Sequence, residues 1–497
     1  MKKFVSILLA LMLLLASMAI ATAENSELER VDLVMYLWGN ECVANQTVLD
    51  KFNEKLLADL NCTLTVKYLN WDVKDTQYPL IFMSGEEFDL AYVYASGAVN
   101  IQGLAEQGAL VPMDEMLDLV PTLRDSISEE VWGATSYKGE IYAVPAMTGI
   151  YNPRGYIYRT DLADVEVNSW ETMEQYMAAV KANGMYPMNG VASDAYNLYQ
   201  MFTDTYYGWI PAPGISTGSV YLVCESAENF TNISSPVFTD EFVEFCKMMQ
   251  RWNEQGFWPA DILAAFNSAK DNMNNGISAG FLSHMADWTG NYGTQKASLG
   301  EAVNTKWWSP AVDNMKVVNG TGAEDATGIS STSKNPERAM MVIEKLMTDY
   351  EYFMLFQYGI EGVQYEIVDG TVTQPASYDA ATDEFGFCGW AFKNDAFAFP
   401  SASEDPIRYE YLADWAETAI IKPYVGFNLD TTMISNEIAA INDVNAEYGV
   451  QLLLGKAGED VEAAVANYRE MLEMAGIETV INEVQTQLTA WAELNGK

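Results

Sequence analysis

Gly276-Ile277-Ser278-Ala279-Gly280 has the spacing of a turn that lifts a serine hydroxyl out of a sheet as a nucleophile. That chemistry needs a buried strand before the serine and a base beside it. Lys270-Asp271-Asn272-Met273-Asn274-Asn275 precedes the motif and is polar, and His284, the sole histidine, falls just beyond it rather than far downstream. The stretch reads better as a strand whose small residues allow close packing at a boundary between lobes. Gly449-Val450-Gln451-Leu452-Leu453-Leu454-Gly455-Lys456 resembles a phosphate loop but has one residue too many, an apolar interior and no Ser or Thr after the lysine. One histidine and no cysteine cluster argue against zinc, and Met273 and Leu282 occupy ligand positions of the would-be calcium loop at Asp271. Carboxylate pairs such as Glu86-Glu87 and Glu129-Glu130 carry no information, because 69 acidic residues supply every spacing. The expectation is no catalytic residue, no metal and no cofactor.

The informative residues are aromatic. The chain has 13 Trp, 28 Tyr and 20 Phe, several at breaks in the periodic pattern and beside Asn, Asp or Ser. Sugar rings have weakly polar faces that stack on aromatic rings, and hydroxyl edges that need amide, hydroxyl and carboxylate partners. Stacking candidates are Trp38, Trp71, Tyr94, Trp288 and Trp308. Asn40, Ser96, Asn152 and Asp287 are candidate hydroxyl partners, with Tyr151 and Trp209 as further walls. Trp390, in Phe385-Gly386-Phe387-Cys388-Gly389-Trp390, reads as a core corner or a further sugar contact. A tryptophan capping a core at a strand end has the same local sequence as one that stacks on a ligand.

The elements that must position these residues alternate cleanly at first. Val31–Trp38 reads as a strand, Val43–Leu60 as a helix with Val48, Phe52, Leu56 and Leu60 four apart, and Thr63–Leu69 as a second strand. A helix over 72–83, a strand Phe88–Ala95 and a helix from Ile101 complete a βαβαβ pattern, hence a parallel sheet. Ligands bind outside the carboxyl ends of such strands, where strand order reverses. With order 2-1-3, those ends are Trp38-Gly39-Asn40 and Tyr94-Ala95-Ser96-Gly97. A second α/β region follows, with a strand Arg154–Tyr158, helices Trp170–Ala182 and Glu241–Gln255, and a strand Gly276–Leu282. Beyond residue 330 one long helix is expected through Met340, Ile343, Met347, Tyr350 and Met354, then a largely helical end with Val461–Met474 and Glu478–Glu493.

Lys2 and Lys3, an apolar run from Phe4 and the small-x-small triplet Ala21-Thr22-Ala23 read as an export signal over 1–23, without the cysteine that would accept a lipid anchor. No other stretch is long and apolar enough to span a membrane. The net charge of −42 repels phosphate backbones and excludes nucleic acid as a partner; it also argues against a polyanionic ligand. Five scattered cysteines, Cys42, Cys62, Cys224, Cys246 and Cys388, read as small buried hydrophobes rather than a disulfide framework.

Four segments in order give a family resemblance. They are Ser84-Gly85-Glu86-Glu87-Phe88-Asp89-Leu90, Glu106-Gln107-Gly108-Ala109-Leu110-Val111-Pro112-Met113-Asp114, Tyr137–Pro145, and Gly328-Ile329-Ser330 through Pro336-Glu337-Arg338-Ala339. Together they resemble the family 1 extracellular solute-binding proteins of bacterial ABC importers, the maltose-binding-protein-like class. The end, from Ala475-Gly476-Ile477-Glu478 to Trp491, is similar to a C-terminal domain of unknown function in lipoprotein-type members. The resemblance implies an α/β, two-lobed periplasmic-binding-protein fold of type II character, with crossover hinges and a helical C-terminal region. It implies lobe 1 from 24–149, lobe 2 from 150–320, a return to lobe 1 over 321–375, and the helical region over 376–497 packing on the lobes. The expected function is to bind an uncharged sugar or oligosaccharide between lobes that close on it, and to deliver it to a membrane permease, as an exported monomer at the cell surface or in the periplasm. Rival readings are an oligopeptide or amino-acid binder, for which Arg154 and Arg159 are available although Arg159-Thr160-Asp161 reads better as the start of a helix, a secreted glycoside hydrolase, and a surface protein without a small ligand.

Overall fold

The computed structural model describes residues 28–71, 73–94, 99–190, 192, 194–206, 208–213, 222–264, 268–320 and 322–497. The expected export signal and Ser96 lie outside the described residues. The strands of the two main sheets are β1 (Val31–Trp38), β2 (Cys62–Leu69), β3 (Leu90–Val93), β4 (Ala143–Pro145), β5 (Arg154–Arg159), β6 (Tyr186–Met188), β7 (Ser278–His284), β8 (Thr305–Trp308) and β9 (Ala326–Ile329). The helices used below are α1 (Asn45–Leu60), α2 (Lys74–Ser84), α3 (Trp170–Ala182), α4 (Asp194–Tyr206), α5 (Asp240–Glu254), α6 (Ala269–Asn274), α7 (Met285–Gly290), α8 (Pro336–Thr348), α9 (Tyr350–Tyr358), α10 (Ile407–Thr418), α11 (Val461–Met474) and α12 (Ile477–Leu494). Among the described residues no helix is long and apolar enough to cross a membrane.

The chain divides into two units: residues 1–148 with 322–399, and residues 149–321 with 400–497. In unit 1 the sheet order is β2-β1-β3-β9-β4, with β1 parallel to both β2 and β3, and β9 antiparallel to β3 and β4. The 2-1-3 order expected from the βαβαβ pattern is present. In β1, Leu33, Met35 and Leu37 are buried and so are Tyr36 and Trp38, so this strand is covered on both faces by its end. Helix α1 meets the sheet through the expected stripe Val48, Phe52, Leu56 and Leu60, all buried.

Unit 2 has the order β8-β5-β7-β6. β5 runs antiparallel to both neighbours, and β7 is parallel to β6. The carboxyl ends of β6, β7 and β8 therefore share one edge with the start of β5, where His284 pairs with Arg154. Helices α11 and α12 bury Val465, Tyr468, Leu472, Val480, Val484 and Leu488 in the same core as Phe242 and Met249 of α5. The helical end is thus built into unit 2.

Three expectations change. Residues 376–399 belong to unit 1 rather than to the C-terminal region, because Phe387 and Phe392 pack on Phe356 with ring centroids 4.9 and 5.2 Å away, and Asn394 donates to the Met347 carbonyl at 2.8 Å. The long helix after 330 is two helices, α8 and α9. Asp349 between them is extended (φ −104°, ψ 115°) and its side chain accepts from Glu351 N, capping the second. Arg159-Thr160-Asp161 is a turn closing β5, held by the Arg159–Asp161 ion pair at 2.7 Å, and not a helix start. All five cysteines are free thiols, with Cys62, Cys224 and Cys246 buried.

Candidate functional site

The carboxyl edge of the unit 1 sheet collects aromatic side chains from four separate stretches. Trp38 ends β1, Trp71 follows β2, Tyr94 follows β3, and Trp390 opens a short 3₁₀ turn, Trp390–Phe392. Trp71 and Trp390 are 46% and 39% exposed and their rings lie 5.5 Å apart, tilted by 37°. Behind them Trp38 is 7% exposed, edge-on to Tyr92 (4.6 Å), Tyr94 (5.3 Å), Tyr78 (5.8 Å) and Trp71 (6.4 Å), with the Lys74 ammonium 4.4 Å from its ring centroid. Trp38 therefore does not offer the stacking face expected of it: its faces are taken, and it supports the outer pair. Gly39 has φ +108°, which a side chain rarely adopts, and its N–H continues the ladder to Leu69 O at 2.8 Å. That turn lets the chain leave β1 beneath the Trp71 ring, which would stand 3.6 Å from a Cβ at Gly39. Asn40 is exposed beside it.

Polar groups at this edge come from β9. Asp325 precedes that strand; it accepts a short hydrogen bond from the Tyr92 hydroxyl, and its backbone carbonyl accepts from Ala146 N at 2.9 Å. Burial raises the Asp325 carboxyl above its ordinary range, against the Tyr92 hydrogen bond and Lys393. The edge thus offers two open indole faces above a packed aromatic floor, with a carboxyl group and two lysines nearby. Tyr92, Tyr78 and Asp325 were not expected at this edge. Tyr92 had a signal, standing two residues before Tyr94 on the same face of β3.

The unit 2 residues resolve differently. Trp288 is 7% exposed, stacked on Trp307 at 6.2 Å and 20°, with Nε1 donating to Thr305 Oγ1 at 3.1 Å. Trp308 is 6% exposed, edge-on to Trp170 at 5.6 Å, and donates to Asp313 at 2.7 Å. Both are core residues with satisfied indoles, which corrects their assignment as stacking faces. Tyr151 packs on Trp415 of α10 at 5.7 Å, and Asn152 beside it is exposed. Trp209 precedes the strand Ile210–Pro211 of a separate small three-stranded sheet.

Asp287, in the first turn of α7, is the centre of a polar cluster. It accepts from Ser283 Oγ at 2.5 Å and Lys270 Nζ at 3.2 Å, and its own N–H donates to His284 Nδ1 at 3.2 Å. Burial alone would raise the Asp287 carboxyl; His284, the Ser283 hydroxyl and Lys270 outweigh it, so it stays below the usual carboxylate range. Burial holds His284 down at about 4, opposed by Asp287 and reinforced by Arg154, Arg408 and Lys270. Asp204 of α4 is pushed up to about 7 by burial, against Lys316 and Arg154, and its Oδ2 has no hydrogen-bond partner.

Ser278 is fully buried within β7, and its hydroxyl is not presented as a nucleophile. Gly280 of the same motif answers to packing: a Cβ there would stand 2.3 Å from the Ile157 carbonyl oxygen. A groove of about 560 Å³ on unit 1, between α1 and α9, carries none of the expected site residues, and a cavity of about 10 Å³ beside Asn189 and Trp258 in unit 2 is too small for a sugar.

Residues 47–349 match the bacterial extracellular solute-binding protein family, and residues 423–493 match a domain of unknown function, DUF3502. A carbohydrate ABC transporter substrate-binding protein of Streptococcus pneumoniae serotype 4 is 22% identical over 468 residues, covering 91% of this chain and 89% of the relative. Among solved structures, the N-glycan transport solute-binding protein NgtS of Streptococcus pneumoniae superposes with TM-score 0.74 at 20% identity, covering 94% of this chain and 100% of that one. A solute-binding protein of Bifidobacterium longum infantis associated with an HMO-binding ABC transporter gives 0.67 at 15% identity, covering 93% and 99%. The fold is therefore that of solute-binding proteins, and with more than half of its length matched, the chain belongs to the bacterial extracellular solute-binding protein family.

Proposed function

We propose that this protein is the substrate-binding component of an ABC importer, that it binds a sugar or oligosaccharide, and that the Trp71–Trp390 pair is the surface on which a sugar ring stacks. The observation that carries the reading is this pair: two half-exposed indoles at the carboxyl edge of a sheet, held from behind by a packed aromatic layer. Support comes from the relative named as a carbohydrate ABC transporter substrate-binding protein and from NgtS, solved in complex with Man1GlcNAc and Man5GlcNAc. In unit 1, Asn40, Tyr94 and Asp325 are the candidate polar contacts and further wall beside the pair; Tyr151, Asn152 and Asp287 are the candidates on unit 2, and Ser96 is a candidate that lies outside the described residues.

The same reading makes the protein a non-catalytic, exported monomer at the cell surface or in the periplasm, docking on a membrane permease. The domain scheme keeps a return of the chain to the first lobe. Isothermal titration with a panel of mono- and oligosaccharides, with peptides alongside, tests the proposal. Saturable heat with a sugar, weakened in Trp71→Ala and Trp390→Ala, is the expected result. Binding confined to peptides, or release of new reducing ends during incubation, overturns it.

A further inference from the structure

We infer that the carboxyl edge of the unit 2 sheet receives a carboxylate-bearing sugar residue, of the uronic- or sialic-acid kind, on the guanidinium of Arg154. This rests on the sugar reading above and narrows its substrate class, against the uncharged sugar expected from the family resemblance.

Arg154 opens β5 directly opposite His284, the last residue of β7, and Ser309, just past β8, donates to its carbonyl at 2.6 Å. The residue therefore stands where the parallel strands of unit 2 finish. Its Nε is shut off from solvent and donates to nothing, and among the described residues no carboxylate lies within ion-pair distance of it. Asp287, which acts on Arg154, is itself held by Lys270 and Ser283. Tyr196, Asp287 and Asp204 act on Arg154 from beyond ion-pair distance, and Asp204 is buried with its carboxyl pushed up to about 7. Among the described residues Arg154 thus stands in no ion pair, in a chain whose net charge is −42.

A guanidinium presents paired N–H donors that fit a carboxylate in two parallel hydrogen bonds, each stronger for being charge-assisted. A desolvated one without a counter-charge gains most when a ligand brings it. The acidic surface does not forbid a single carboxylate, because charges farther off than about 8 Å are largely screened at physiological salt. A polyanion would still be repelled along its length.

The test is calorimetric titration with matched pairs: a glucuronic-acid disaccharide against its glucose counterpart, and a sialylated oligosaccharide against its desialylated form. Wild-type protein, Arg154→Gln and Arg154→Lys are compared at low and high salt, after the melting of each unliganded variant is checked. The acidic member of a pair should bind about 10–100-fold tighter, with the preference shrinking in salt. Arg154→Gln should abolish that preference while leaving binding of the neutral member, and Arg154→Lys should retain part of it. Equal affinity within each pair for the wild type, or an undiminished preference in either variant, overturns the inference while the sugar reading stands. If no member of any pair binds, the sugar reading falls and takes this inference with it.

Discussion

Alanine at Trp38 and alanine at Trp71 should have opposite consequences, although both residues sit at strand ends with the same kind of local sequence. Trp38 is 7% exposed and meets four aromatic rings between 4.6 and 6.4 Å. Truncating a tryptophan so enclosed removes its transfer free energy and leaves a cavity that its rigid neighbours fill poorly, at a cost of about 3–5 kcal/mol. Trp71 already has 46% of its surface in water and leans on Trp390 and the edge of Trp38. Its truncation should cost roughly 1 kcal/mol of stability, the scale of one aromatic contact, and weaken sugar binding about five- to tenfold through the lost stacking face. Scanning calorimetry and isothermal titration on both variants separate the effects. The chain has two units and need not unfold in one step, so the informative quantity is the shift of the transition that carries unit 1. A Trp38→Ala protein that melts like the wild type and loses only ligand affinity would refute the reasoning, because Trp38 would then be a contact and not a support. A Trp71→Ala protein less stable than Trp38→Ala would refute it from the other side.

Asp204→Asn removes a carboxyl group whose value burial raises from 3.8 to about 7, so the wild type loses stability as pH climbs through that window and the variant does not. The variant's advantage should grow by roughly 3–4 kcal/mol between pH 4 and pH 8 in unfolding titrations, and a flat difference contradicts the burial argument. His284 is held near 4 from 6.5, so it stays neutral while the unfolded chain takes up a proton below pH 6.5. His284→Asn, which keeps a helix cap for Asp287 N, should lessen the loss of stability between pH 6.5 and 4 by up to roughly 3 kcal/mol; an unchanged acid limb counts against it. Gly280→Ala places a Cβ 2.3 Å from the Ile157 carbonyl and should leave little folded protein by circular dichroism, whereas Ser278→Ala should fold normally and bind sugar as the wild type does.

Much of unit 1 was readable because its signals are local: the four-residue stripe of α1, the alternation of strands and helices, and the glycine that ends β1. The capped break at Asp349 was local too, and Asp349 with Glu351 two residues on was its visible sign. Exposure of the tryptophans was not readable. Trp38 is buried by Tyr92 and Tyr94, two strands away in order, and Trp288 by Trp307 and by Tyr411, which lies more than a hundred residues later. Strand ends tell which residues can reach an edge; partners brought from distant segments decide which of them stay open. The sequence offered Arg154 only as a cation for a peptide ligand; that it stands in no ion pair shows only once Asp287 is seen to hold Lys270.

The central claim is that a sugar stacks on Trp71 and Trp390. Calorimetric titration of wild type, Trp71→Ala, Trp390→Ala and the double variant, with one oligosaccharide that stabilises the wild type, tests it most directly. Each single variant should bind more weakly with only the small shift of its unliganded melting transition that roughly 1 kcal/mol brings, and the double variant should lose detectable binding. Wild-type affinity in the double variant would contradict it.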